Sequence, residues 1–442
     1  MRRPPTPFAP LVLAALLPLA ALLPAQAAEP ISILFVGNSY TFGRLDPVLH
    51  YNAANVRDLT QPQGPLHGGN DPALPFTSGA PFTNLTGTNS YPVGTINPAT
   101  GLPFTSYSPH SLTQAWGGVP GIFKQMTVQA GLDYDVALST RNAASLRGHF
   151  LNTANSNWDL RGNITSQRWD KLVLQEQSDE PLPALTAGGV PLNSNFASFQ
   201  AYADVIEDHV HIGTALSYRE RDLFAGGNNT LRSIAANANA SAATQVYLQQ
   251  TWARPNLINA PGDASIDPAT GSASYDSSVP VPSYYSDLER MTDDLRSAYA
   301  AAAAHAGADG SGGITGVAPV GDAFLRAVTS GVATRDLYAA DAASDGLIDL
   351  WFNDGTHASV HGSYLSALTL FGSITGLDPR ALGAGELAAL DLGISSSEAL
   401  ALQQVAALSL GLPAAVPEPA NAALLAAGLL GLVVLLRRRS RL

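Results

Sequence analysis

The stretch ILFVGNSYTFGRLDP, residues 33–47, decides the fold. Ile33, Leu34, Phe35 and Val36 form an unbroken apolar run. A short run of that kind reads as a strand buried on both faces, as in a parallel sheet covered by helices. The run ends in Gly37-Asn38-Ser39, which puts a hydroxyl at the strand's end. Ser39 is then either the polar start of a helix or a nucleophile held at the edge of the sheet.

Four further segments share this character: YDVALST (134–140), KLVLQEQ (171–177), TQVYLQQ (244–250) and ITGVAPV (314–320), after ISILFVG (31–37). Helical patterns lie between them. VPGIFKQMTVQAGL stops at Gly131, and the run from Ser283 to Gly307 puts Tyr284, Leu288, Met291, Leu295 and Tyr299 on one face. This alternation predicts an α/β fold: a doubly wound, three-layer sandwich on a five-stranded parallel sheet. SSSEALALQQVAALSLG has Ser395 and Glu398 at capping-box spacing, so a helix is expected there and the domain extends to about residue 411. Two Pro-, Gly- and Asn-rich loops, 59–116 and 255–283, interrupt the rhythm. LPFTS occurs at 74–78 and again at 102–106. Loops this long are usually either functional rims or lids of a site or simply disordered.

The chain has 442 residues, 46% of them apolar and 13% charged, which is core-forming and not disordered. Its net charge of −12 argues against nucleic acid as a partner. It has no cysteine, which excludes disulfides, thiolate metal ligands and a cysteine nucleophile.

The two ends predict a route. Arg2 and Arg3, the apolar LVLAALLPLAALL and the small residues of AQAAE read as a secretory signal peptide over 1–28. Residues 412–442 hold Pro417-Glu418-Pro419, an apolar run over Asn421–Leu436, and Arg437, Arg438, Arg439 and Arg441. The basic end fits the cytoplasmic side of a span. This tail resembles the PEP-CTERM sorting signal of Gram-negative bacteria. The resemblance implies transient anchoring in the inner membrane, processing by an exosortase, and delivery to the cell surface or extracellular matrix.

A serine attacks only when a base takes its proton, and the base needs an orienting acid. NDGTHAS supplies both, with Asp354 and His357 three residues apart just ahead of a helical pattern. His357 and His361, four apart, with Asp354 make three possible metal ligands, but the His-Glu-x-x-His pattern is missing. DAASDGLIDLWF (341–352) partly mimics a calcium loop, yet Phe352 stands where the final Glu belongs. No metal or other cofactor is expected.

ILFVGNSYT and NDGTHAS together resemble the first and last blocks of the SGNH hydrolase superfamily, the GDSL-like esterases and lipases, over about residues 31–380. The resemblance implies a flavodoxin-like strand order, Ser39 as nucleophile, His357 as general base and Asp354 as its orienter. It implies an oxyanion hole from the N–H of Ser39, the N–H of Ala143 or Ala144 where the family has glycine, and the side chain of Gln177 where it has asparagine. Gln175 takes the glycine place of that third block. Asn38 and Gln175 are expected beside the substrate, as are Trp252 and Arg254 in QQTWARP, which can stack on a sugar and bind a carboxylate. The expected activity is hydrolysis of an ester, an acyl group on an extracellular carbohydrate or another small ester. The rival reading is a catalytically weak protein of the same fold that binds glycan or matrix, because both oxyanion blocks are altered.

Overall fold

The computed structural model describes residues 29–43, 47–59, 82–83, 111–112, 116–151, 159–266, 273–352 and 354–414. The expected signal peptide, the sorting tail from residue 415 onward and most of loop 59–116 lie outside the described residues.

The apolar runs become strands where expected: β1 (Ile31–Gly37), β3 (Tyr134–Thr140), β4 (Lys171–Gln175), β5 (Gln245–Gln249) and β6 (Gly316–Ala318). A sixth, β2 (Arg57–Asp58), corrects the count of five. It is too short to carry a periodic pattern. It is held by pairing of Arg57 with Ala137 and Asp58 with Leu138, and by an ion pair from Arg57 to Asp135 on β3. The order across the sheet is β2-β3-β1-β4-β5-β6, and every pairing is parallel. Without the edge strand β2, this is the flavodoxin-like order.

β1 lies at the centre, with Ile33 opposite Val136 on one side and Lys171 on the other. Ile33, Leu34, Phe35 and Val36 are all fully buried. Each such side chain contributes about 1.5–3 kcal/mol relative to exposure. From β1 the chain moves one way to β3 through α2 (Gly118–Gln129). From β4 it moves the other way to β5 through α5 (Phe196–His211). Right-handed crossovers running in opposite directions place their helices on opposite faces. Accordingly α2 packs with α8 (Val360–Thr375), and α8 with α10 (Ser396–Ser409). On the other face α5 packs with α3 (Leu146–Leu151) and α6 (Leu288–Ala306).

The capping box forms as expected, with Ser395 Oγ accepting the Glu398 N–H and Glu398 returning to the Ser395 N–H. Helix α6 starts later than expected because Asp287 caps it, accepting the Arg290 N–H, so Tyr284 lies outside the helix. Among the described residues no helix is long and apolar enough to cross a membrane.

Candidate active site

The turn after β1 is built around Gly37. A Cβ there would lie 2.2 Å from Thr41 Oγ1 and 2.5 Å from Gln175 Oε1, so only glycine fits. Its carbonyl accepts the Arg141 N–H at 3.0 Å and a bond from His149 Nε2 at 2.8 Å. Burial pushes His149 down to about 4, so its ring is neutral and donates from Nε2. The next residue, Asn38, caps the four-residue helix Ser39–Phe42 (α1), accepting the Tyr40 N–H at 3.1 Å. Asn38, and not Ser39, is therefore the cap, which leaves the Ser39 hydroxyl free for another partner.

That partner is His357. Ser39 Oγ lies 2.8 Å from His357 Nε2, and His357 Nδ1 lies 2.6 Å from Asp354 Oδ2. The carboxylate acceptor keeps the proton on Nδ1 and turns the Nε2 lone pair toward the hydroxyl. The other carboxylate oxygen of Asp354 accepts the Thr356 and His357 N–H groups at 2.9 Å each, which fixes the loop from within. Between them Gly355 has φ +65°, and a Cβ there would lie 2.1 Å from Tyr338 Oη. The expected trio is thus brought together at the carboxyl ends of the strands, where open α/β sheets place their ligand sites.

The Thr356 carbonyl holds the loop against the helix that carries Ser39. It accepts from Tyr40 Oη at 2.8 Å and from Trp252 Nε1 at 3.0 Å. Trp252 is fully buried, stacked between Tyr40 (centroids 3.9 Å apart) and Phe324 (4.7 Å). This corrects the expectation of a sugar platform: an indole sandwiched on both faces has no face left for a ligand. Loop 255–283 also supports this corner. Asn256 N–H donates to the Gly355 carbonyl at 3.3 Å, and Tyr275 packs edge-on against Tyr338.

Gln175 is likewise corrected from substrate neighbour to scaffold. It is fully buried, and its Oε1 accepts the Asn38 N–H at 2.9 Å and Thr41 Oγ1 at 3.0 Å while its Nε2 donates to the Glu176 carbonyl. Asn38 lines the cleft, but its Nδ2 donates to the Ala144 carbonyl at 3.1 Å, tying the β1 turn to the loop after β3.

Of the two alanines in that loop, the structure separates the roles. The Ala144 N–H closes a turn onto the Arg141 carbonyl at 3.2 Å and is spent. Ala143 faces the cleft with φ +55°, the left-handed region that glycine occupies without cost. Gln177 also lines the cleft. Its Oε1 accepts the Asp179 and Glu180 N–H groups at 2.7 and 3.2 Å, which orients the amide and leaves Nε2 with only a 3.4 Å contact to Ser178 Oγ.

These groups enclose a cleft of about 270 Å³ whose wall includes Asn142, Ser178, Asp179 and Arg254. Arg254 lines the cleft wall, but it is buried, paired with Asp179 and donating to Ser178 Oγ at 2.6 Å, so its guanidinium already holds a carboxylate of the chain itself. His361 does not join His357; it faces Glu398 at 3.5 Å. Sequence reading missed Tyr40, His149, Glu176, Ser178 and Asp179. Only the first had a signal, as an aromatic residue directly after the serine.

No family model matches the chain, and no curated protein matches it. Two solved structures are similar to it. One is a DUF4886 family protein from Bacteroides uniformis, at 12% identity over 88% of this chain and 98% of that one, with a TM-score of 0.39. The other is a candidate SGNH hydrolase from Slackia heliotrinireducens, at 15% identity over 78% of this chain and 100% of that one, with a TM-score of 0.32.

Proposed function

We propose that this protein is an exported serine ester hydrolase of the SGNH type. The observation that carries the reading is the unbroken chain from Ser39 Oγ through His357 to Asp354, at 2.8 and 2.6 Å, opening on a cleft. In this reading Ser39 Oγ attacks the acyl carbon as His357 Nε2 takes its proton. The tetrahedral oxyanion receives hydrogen bonds from the N–H groups of Ser39 and Ala143 and from Gln177 Nε2. Collapse breaks the ester bond, and His357 returns the proton to the leaving alcohol. Water, deprotonated by His357, then attacks the acyl-enzyme and releases the acid.

The cleft's small volume and its wall of Asn142, Gln177, Ser178, Asp179 and Arg254 support a short acyl group on a polar alcohol, such as an acylated extracellular carbohydrate. The N-terminal and Pro-Glu-Pro segments support export, transient anchoring and exosortase processing.

The test is hydrolysis of short-chain aryl esters and labelling by a fluorophosphonate. Both are expected of the wild type and neither of Ser39→Ala. Folded wild-type protein that resists the probe would instead favour the glycan- or matrix-binding reading.

A further inference from the structure

Two of the three oxyanion donors sit on different loops, and a single buried side chain joins them. Glu176, the residue after β4, is 1% exposed. Its Oε1 accepts the Leu146 N–H at 3.0 Å and the Gln177 N–H at 2.6 Å. Leu146 opens α3, three residues beyond Ala143. Between them the Ala144 carbonyl is held by Asn38 Nδ2 at 3.1 Å. The segment that follows Ala143 is thus tied to β1 by one bond and to β4 by the other.

We propose that Glu176 is a positioning residue of the oxyanion hole, its Oε1 setting the separation between the Ala143 loop and the Gln177 amide. The inference rests on the ester-hydrolase reading above. Strand pairing cannot set that separation, because the β4–β5 ladder ends at Gln175 and β3 ends at Thr140. Both donors therefore lie past the last ladder bonds, and Glu176 supplies the missing tie across the end of β1. An apolar residue would fill the space but leave two buried N–H groups without an acceptor, at about 1–3 kcal/mol each.

The charge state suits the task. Burial, with the nearby Glu180 carboxyl, pushes the Glu176 carboxyl well above the usual carboxylate range, which favours its neutral form. In that form its carbonyl oxygen can accept both the Leu146 and Gln177 N–H groups without placing a negative charge beneath the developing oxyanion.

The test measures kcat and KM for an aryl ester in Glu176→Ala, Glu176→Gln, Gln177→Ala and the Ala–Ala double variant. Glu176→Ala is expected to lower kcat at least about tenfold with KM nearly unchanged, a smaller loss than removing a donor outright. Glu176→Gln keeps an acceptor oxygen of the same reach and should stay within about threefold of wild type. In the Gln177→Ala background the Glu176→Ala loss should shrink, since part of what it positions is gone. Unchanged kcat in Glu176→Ala, an equal loss in Glu176→Gln, or fully additive losses would each overturn the proposal. Should Glu176→Ala not fold, amide exchange in the wild type decides. Protection at both Leu146 and Gln177 is expected, and exchange at open-loop rates at either overturns it. Activity that survives Ser39→Ala, or none in the wild type, is failure of the hydrolase reading and takes this inference with it. A wild type silenced by Ser39→Ala but not by Glu176→Ala is failure of this inference alone.

Discussion

Ser39 Oγ and His357 Nε2 lie 2.8 Å apart although 318 residues separate them in the chain. Ser39 follows the central strand and His357 follows the edge strand, so the sheet alone does not bring them into contact. The joint is the Thr356 carbonyl, which accepts from Tyr40 on the serine's own helix and from Trp252 after β5. His357 and Ser39 are thus positioned through adjacent residues of the same two segments.

Tyr40→Phe tests this joint. It removes one of two bonds to the carbonyl but keeps the ring stacked on Trp252. Stability should fall by about 1 kcal/mol, the usual value of one net hydrogen bond. The expected kcat loss is several-fold, because the Trp252 bond still holds the loop. A thermal melt and steady-state kinetics check it, and a variant unchanged in both would show that the carbonyl needs only one donor.

Gln177→Glu isolates the donor role of that side chain. The glutamate keeps an oxygen for the Asp179 and Glu180 N–H groups, so the loop should fold. It loses the Nε2 donor and adds charge where the proposed reaction would form its oxyanion. A kcat loss of about 10²-fold or more is expected, with intact protein by circular dichroism. Near-normal kcat would remove Gln177 from the oxyanion hole.

Much of this site was legible in the sequence, and the limits are physical. Five of the six central-sheet strands follow from local signals, the apolar runs, and Ser39, Asp354 and His357 from a turn glycine, a carboxylate three residues before an imidazole, and the resemblance of both stretches to a family's end blocks. What failed was the environment of individual polar side chains. Gln175 is expected beside substrate from its place in the resembled third block and Trp252 from its place after a strand, yet both are fully buried. Nothing in Gln-Glu-Gln tells which side chain turns into the core, since that depends on the Gly37 turn and the Leu146 N–H lying opposite. The two-residue strand β2 was invisible because its stability comes from Asp135 and Leu138, about 80 residues away.

Ala143 gives a prediction with an internal control. At φ +55° an alanine carries about 1 kcal/mol of backbone strain that glycine lacks, offset in part by glycine's greater freedom when unfolded. Ala143→Gly should therefore be neutral or slightly stabilising and leave kcat intact. Ala144→Gly, without a positive φ to relieve, should cost about 0.5–1 kcal/mol. Equal destabilisation in denaturant titrations of the two would contradict the left-handed turn.

His149 makes the Gly37 turn sensitive to acid. Its folded pKa of about 4 lies below the ordinary value of about 6.5, because burial disfavours the imidazolium. The neutral ring contributes stability above about pH 6.5, and this is lost as pH falls toward 4, by roughly 3 kcal/mol at most. His149→Asn cannot take up that proton. Its melting temperature should lie below the wild type's at pH 7 and approach it at pH 4. A constant gap across that range would show that the ring is not held neutral.

Glu180 has the opposite sign and sits nearer the donors, its N–H bound by Gln177 Oε1. Burial pushes its carboxyl up to about 7, Asp179 adds to the rise, and Arg147 opposes it. A raised folded value means that the protonated form favours folding, so stability is present below about pH 4.5 and lost as pH climbs through 7. Glu180→Gln stays neutral throughout. It should match the wild type's melting temperature near pH 4.5 and exceed it at pH 8, with the gap opening between. A gap that is the same at both pH values would mean that Glu180 ionises as freely in the fold as in the open chain.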